Sequence, residues 1–566
     1  MADATTRMRR NGYRLSAAGL TATVAMALAA TTAAARPAPH ETGSATADTQ
    51  DTQLVCGTLT PDAKYRSDAR KLGTEHACEH LEGRAYTESA AATRHDAAER
   101  RTLISALAST DPTDIGQWSA ARNPGTKTIG IAAVLLHTGK VLLLGGKYTS
   151  TYKNTASYLF DPTTFTGHEA PAPAAVFCGS VTPLSDGRIL SVGGTVKIPD
   201  GIPDVYLFDP VKETWIRQPD TPLGRYYPTA TRLADGTVVV AAGTEADGVT
   251  KNPTVEQYTP PASGTDVGTL QVVGPPHVTN YYPHQWLMPD GTMLQIDKRK
   301  DYKLSPATWT WTTLPQLPKG GNGPGSSSML LPGGSGGTPN VMVFGGLNGG
   351  SALVTTEVFD YSKPTAGWHF GASMPTPRAH MNIIQVPDGT AYGIGGNAQD
   401  LYGSGEFETL HLDPATQTWT NMAVQTVRRG YHSTALLLPD GRIMSAGDTG
   451  AGGGAQQIDF YSPPYLFKGP RPAITSAPNQ VDYGASFDIA TSGPAVDSAV
   501  LMAPGSTTHA VEMNARRVQL SVTATPTGFT ATAPASPNLA PPGWYMLFVM
   551  TPDGIPSVAT WVHVGS

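Results

Sequence analysis

Residues 428–448, RRGYHSTALLLPDGRIMSAGD, decide how the rest of the chain is read. An apolar run at 435–438 is closed by Pro439-Asp440-Gly441, and 442–446 returns as a partner strand. An apolar run, a tight Asp-Gly turn and a second run predict a β-hairpin. A phenol and an imidazole, Tyr431 and His432, stand just before its first strand.

The hairpin is one copy of a repeat. Similar segments begin at 129–146, 178–194, 227–243, 282–298, 326–346 and 380–396, and 431–447 is the seventh. Trailing halves such as Tyr158-Leu159-Phe160-Asp161-Pro162, and Leu412-Asp413-Pro414 with Trp419, follow the hairpins. A period of about 50 residues is that of a four-stranded kelch-type blade. Seven copies predict an all-β protein built on a seven-bladed kelch-type β-propeller over 115–468, which hides its strand edges by radial repetition. After Pro470-Arg471-Pro472 the repeat stops, and short alternating strands over 469–566 predict an immunoglobulin-like (early-set) β-sandwich.

Composition agrees with many short strands and tight turns. Charged residues are 15% of 566, while glycine (61) and proline (48) are abundant. Lys+Arg 39 against Asp+Glu 45 gives a net charge of -6, which argues against a nucleic-acid partner. Residues 1–35 read as a signal peptide: Arg7, Arg9 and Arg10 precede an apolar run, and Ala33-Ala34-Ala35 offers a cleavage site. The route is Sec or twin-arginine, and the mature protein is expected outside the cytoplasm, free or at the cell surface, with no membrane span. Residues 36–114 read as a linker and a short helical N-terminal extension, with Cys56 and Cys78 expected to pair as a disulfide. Cys178 is left over.

In a propeller, side chains at equivalent points of different blades converge on the central channel. Cys178, Tyr227, Tyr282 and Tyr431 share nearly the same register. Phenols, an imidazole and a thiol at one place suit copper(II), which favours nitrogen and oxygen donors; by themselves they suit channel packing equally well.

The order and spacing of Val176-Phe177-Cys178-Gly179, Arg225-Tyr226-Tyr227, Arg429-Gly430-Tyr431-His432-Ser433, Ser506-Thr507-Thr508-His509-Ala510 with Arg516-Arg517, and Pro541-Pro542-Gly543-Trp544-Tyr545 resemble the galactose oxidase and glyoxal oxidase family of copper radical enzymes. The likeness runs from about residue 115 to the C-terminus. It implies a Tyr227 ring joined by a thioether to Cys178 and holding a radical, an axial Tyr431 that accepts a proton, and His432 and His509 as imidazole ligands of one copper ion. It further implies that the C-terminal domain sends a loop through the channel to deliver His509.

Two departures bear on the substrate. Where galactose oxidases stack a tryptophan on the radical ring, counting along the blade places Glu245, with Tyr282 or Trp286 as candidate replacements. The large carbohydrate-binding N-terminal domain of galactose oxidases is also missing. Glu245, Tyr282, His284 and Arg378 (beside His380) are candidate pocket residues. Asp186, Asp235, Asp290, Asp388 and Asp440 precede turn glycines and read as turn formers; Trp215, Trp309 and Trp419 read as packing between blades. The expected activity is oxidation of a small aldehyde or primary alcohol, including one at a glycan terminus, by dioxygen, with hydrogen peroxide released by a monomeric enzyme. The alternative is a catalytically silent propeller that binds cell-surface polysaccharide.

Overall fold

The computed structural model describes residues 109–565, without 147–154, 262–266, 298–299, 316–324, 332–339, 349–350, 399–404 and 449–454, together with 100, 102–105 and 107. The expected signal, linker and Cys56–Cys78 pair lie outside the described residues, as does most of the expected helical extension. Among the described residues no helix is long and apolar enough to cross a membrane.

Among the described residues the repeat folds as seven antiparallel sheets, six of four strands and the first of six, its extra pair coming from the C-terminal domain. Their inner strands are Ala132–Leu135, Ser180–Pro183, Thr229–Arg232, His284–Leu287, Ser326–Leu331, Asn382–Gln385 and Ser433–Leu437. Each touches the next, and the last touches the first, so the ring is closed. Closure falls to the start of the domain: Gln117–Trp118 is the outer strand of the seventh blade and pairs with Asp459–Ser462, Trp118 opposite Tyr461. No repeat signal marks this two-residue strand.

Turn chemistry follows the sequence. In five blades the turn aspartate accepts the backbone N–H two residues on, as Asp440 does from Arg442 N at 3.0 Å and Asp388 from Thr390 N at 2.9 Å. Trp215 Nε1 donates to Ala170 O (3.1 Å) and Trp419 Nε1 to Ala372 O (3.0 Å), each tying its blade to the one before.

Three blades carry a buried arginine clamp at one register. Arg225, Arg378 and Arg429 each precede by two the residue that opens the blade, and all three are fully buried. Arg225 meets Glu256, Arg378 lies 3.7 Å from Glu408, and Arg429 lies 2.8 Å from Asp459. Each also donates to backbone carbonyls, as Arg429 does to Gly447 O (2.9 Å) and Gln457 O (2.8 Å). Arg378, expected in a substrate pocket, therefore points into its own blade and donates to Gly395 O at 2.8 Å. A guanidinium supplies enough donors to satisfy a carboxylate and loop carbonyls together.

Beyond the propeller, two sheets form the sandwich. Period-2 alternation along Gly543–Met550 decides its packing. Tyr545, Leu547 and Val549 enter the sandwich core with Phe487, Ile489 and Val562, whereas Met546, Phe548 and Met550 join a propeller cluster with Val386, Leu436 and Ile443. This strand is buried on both faces, which binds the two domains into one body.

Arg429→Met would strand the Asp459 carboxylate, whose pKa burial already pushes up. A loss of about 3–5 kcal/mol is expected, measured as a fall in Tm. Lys140→Met, at the partly exposed 2.6 Å pair with Glu213, should cost under about 1 kcal/mol. Equal falls for the two would contradict the clamp's role.

Candidate metal centre

The residues that open the blades share an unusual backbone. Cys178 (φ 57°), Tyr227 (67°), Tyr282 (43°) and His380 (58°) each stand two residues before an inner strand, in the left-handed region; His432 (68°) and His509 (53°) are there too. Such residues cost about 1–3 kcal/mol each and persist where the surroundings over-determine them. Here consecutive blades hold each other: Tyr227 N donates to Cys178 O (3.1 Å) and Tyr282 N to Tyr227 O (3.1 Å).

His509 arrives from the C-terminal domain. The hairpin Ser506–Thr508 and Val511–Glu512 adds to the inner strand of the first blade, Ser506 opposite Val134 and Thr508 opposite Ala132. Glu512 braces its base, one carboxylate oxygen accepting from Ser506 N (2.7 Å), Asn514 N (2.9 Å) and Ala515 N (2.8 Å). Thr508 then orients the imidazole. Its hydroxyl donates to Ile131 O (3.1 Å) and lies 2.7 Å from His509 Nδ1. Because the hydroxyl's one proton is used, Nδ1 carries the hydrogen, and Nε2 faces the centre with its lone pair.

Five side chains meet there. The Tyr227 and Tyr431 hydroxyls are 2.5 Å apart. Cys178 Sγ lies 3.5 Å from His509 Nε2, and the ligand atoms of Cys178, His432 and His509 fall within 4.8 Å of one another. All five residues are buried. Burial pushes the Cys178 thiol well up, opposed by hydrogen bonds from the Tyr227 and Tyr226 hydroxyls, so the sulfur is protonated.

Tyr227 sits among aromatic rings. Tyr226 stacks on it at 4.1 Å and 17°, Tyr282 at 4.7 Å and 28°, and Tyr281 meets it edge-on at 5.3 Å. Tyr282 is further fixed by donating to Gly179 O at 2.9 Å. Trp286 lies elsewhere, its Nε1 donating to Ser328 Oγ (3.0 Å) within a hydrophobic cluster. Glu245 is half-buried, and its charge acts on Arg225. His284 is held by Ser326 (3.2 Å) and Ser328 (3.0 Å), and burial lowers its pKa to about 4; it packs the channel as a neutral ring. His380 meets the Tyr431 ring at 4.7 Å. Sequence reasoning missed Tyr226, Tyr281, Thr508 and Lys251. The doubled tyrosines 226–227 and 281–282 were a usable signal. Lys251, 2.9 Å from the Tyr281 ring centroid and brought down to about pKa 7 by burial, gave none.

The family profile described as glyoxal oxidase N-terminus matches residues 154–453, more than half of the chain. The chain belongs to the glyoxal oxidase family. The galactose oxidase-like early set domain profile matches 471–564. The aldehyde oxidase GLOX of Vitis pseudoreticulata is 30% identical over 69% of this chain and 82% of its own length. A WSC domain-containing protein of Arthroderma benhamiae is 29% identical over 78% of this chain, and the chain spans about half (51%) of that relative. A solved fungal alcohol oxidase of the AA5 family, in complex with copper, shares the fold (TM-score 0.70, 23% identity, 80% of this chain and 100% of that one).

Two imidazoles and two phenols, with a thiol alongside, are a donor set that fits copper(II). Thr508→Val keeps the shape of the side chain but removes the hydroxyl that sets His509. Copper affinity should fall about 10–100-fold in a chelator-competition titration; wild-type affinity would show that Thr508 does not orient the ligand.

Proposed function

We propose that this glyoxal oxidase family member is an exported mononuclear copper radical oxidase, converting a small aldehyde or primary alcohol to the next oxidation level with dioxygen and releasing hydrogen peroxide. The observation that carries it is the convergence of Tyr227, Tyr431, Cys178, His432 and His509 from three blades and the C-terminal domain at one buried point. A silent polysaccharide-binding propeller needs neither that convergence nor a buried thiol hydrogen-bonded to a phenol.

Tyr227, Tyr431, His432 and His509 would hold the ion. A copper ion held there would supply a one-electron redox partner for the Tyr227 ring, so that together they could accept the two electrons of the oxidation. The chain's own residues do the rest. Tyr431 Oη, as phenolate, accepts the proton of the substrate hydroxyl (an alcohol, or an aldehyde hydrate). The oxidised Tyr227 ring accepts a hydrogen atom from the carbon bearing that hydroxyl. The substrate thus loses one proton, one hydrogen atom and one electron, two hydrogens in total. Thr508 keeps His509 in the ligating tautomer, and the buried rings of Tyr226 and Tyr282 exclude water from the Tyr227 ring.

The cross-link comes first. Joining Cys178 Sγ to the Tyr227 ring removes the thiol hydrogen and one ring hydrogen, with dioxygen as the oxidant. Copper-loaded, aerated protein should be lighter by two hydrogens after disulfide reduction, with the loss mapping by mass spectrometry to the peptides holding Cys178 and Tyr227. An unchanged mass would remove the radical cofactor from this reading.

Tyr227→Phe leaves a ring in the stack but no oxygen to ligate or oxidise. Peroxide release in a screen of small aldehydes and primary alcohols should drop at least about 1,000-fold while Tm stays near wild type. Residual activity near wild type would overturn the assignment.

A further inference from the structure

Two arginines stand apart from the clamps. Arg232 ends the inner strand of the third blade, and Arg516 follows the hairpin that carries His509. Both are buried, at 4% and 8% exposure. Buried guanidinium groups ordinarily meet a carboxylate, as Arg225, Arg378 and Arg429 do. Among the described residues Arg232 and Arg516 have no such ion pair.

Their neighbours are neutral. Arg232 Nη2 donates to Asn514 Oδ1 at 3.2 Å, and its Nε has no hydrogen-bond acceptor. Arg516 donates to three carbonyls, Leu287 O (2.7 Å), Asn538 O (2.8 Å) and Leu539 O (3.0 Å). The carboxylate whose field reaches Arg232 is Asp186, and Asp186 is already held by Arg188 at 2.5 Å. Tyr545 spends its proton on Pro541 O (2.8 Å). Gly543 makes room: a Cβ there would stand 2.5 Å from Arg232 Nη1.

Both arginines line one cavity of about 20 Å³, walled also by Thr231, Gln285, Asn514 and Tyr545. That volume admits a single water-sized particle. Two like charges against it, with a donor left over, create a positive potential that a neutral water does not relieve. Burial lowers both guanidinium pKa values, and Arg516, also repelled by Arg232, is brought to about 10.

We propose that this cavity is a binding site for a small monovalent anion of the chloride class, held between Arg232 and Arg516 where the third and fourth blades meet the C-terminal domain. The site has a structural consequence. Met513, Asn514 and Ala515 form part of its wall and close the hairpin that presents His509. An anion there neutralises the base of that arm and stabilises its docked position, so its binding adds to the stability of the whole chain.

The test uses the full-length protein prepared free of chloride. Tm is followed as sodium chloride replaces sodium gluconate at constant ionic strength, and crystals are soaked in bromide. The expected results are a Tm that rises on the order of 1 °C per tenfold chloride and an anomalous bromide peak between the two guanidinium groups. Arg232→Met and Arg516→Met should each lose the chloride dependence. Equal Tm in chloride and gluconate, or no bromide peak at intact arginines, would overturn the proposal; the soak decides on wild-type protein even where a variant fails to fold.

Discussion

The strand pairing between the C-terminal hairpin and the inner strand of the first blade is the contact on which the rest depends. A propeller of seven sheets leaves an axial channel, and inner-strand edges facing that channel would expose unpaired backbone groups. The Ser506–Thr508 strand covers one such edge along Ala132–Leu135 and brings His509 to the axis in the same act. Closure of the ring through Gln117–Trp118, the doubly buried Gly543–Met550 strand and the Glu512 brace all make that insertion rigid. The domain boundary therefore runs through the candidate metal centre rather than beside it.

Much of this was legible because propeller repeats are local. A four-stranded blade writes its hairpins, Asp-Gly turns and outer tryptophans into about 50 consecutive residues. Equivalent register then says which side chains approach the axis, and Cys178, Tyr227 and Tyr431 could be read from that alone as neighbours. His509 could not: its domain has no repeat, and only the family likeness placed it. The closing strand was invisible for a related reason, since two residues with no period carry no pattern. Arg378 misled because a charged residue near a blade opening reads as a pocket lining. Its equivalents Arg225 and Arg429 show the other meaning, a clamp from the blade opening to a later strand of the same blade.

The surroundings of Tyr227 could be read in part. Counting along one blade looks for a stacking ring on the same chain segment, and there it finds Glu245. The structure supplies rings by a different route, from the residue next door and from the following blade. Tyr226 is brought against Tyr227 by the left-handed turn at Tyr227 itself, and Tyr282 by the backbone bond Tyr282 N to Tyr227 O. Two phenols are in contact with the ring. Both keep their protons, because burial pushes Tyr226 and Tyr282 well above the ordinary phenol range.

That protonation matters to the chemistry. An ionised phenol stacked on Tyr227 would be the easiest group in the pocket to oxidise, and an oxidising equivalent would leave the ring that takes the substrate hydrogen in the proposed mechanism. Neutral phenols are harder to oxidise than the thioether-substituted ring that the proposed cross-link would make of Tyr227. Burial, which costs stability at every one of these tyrosines, would thereby confine the oxidising equivalent of the proposed mechanism to the ring beside Tyr431. The left-handed blade openings, the inserted hairpin and the arginine clamps are the structure that makes such burial affordable, since each over-determines a position that would otherwise relax toward water.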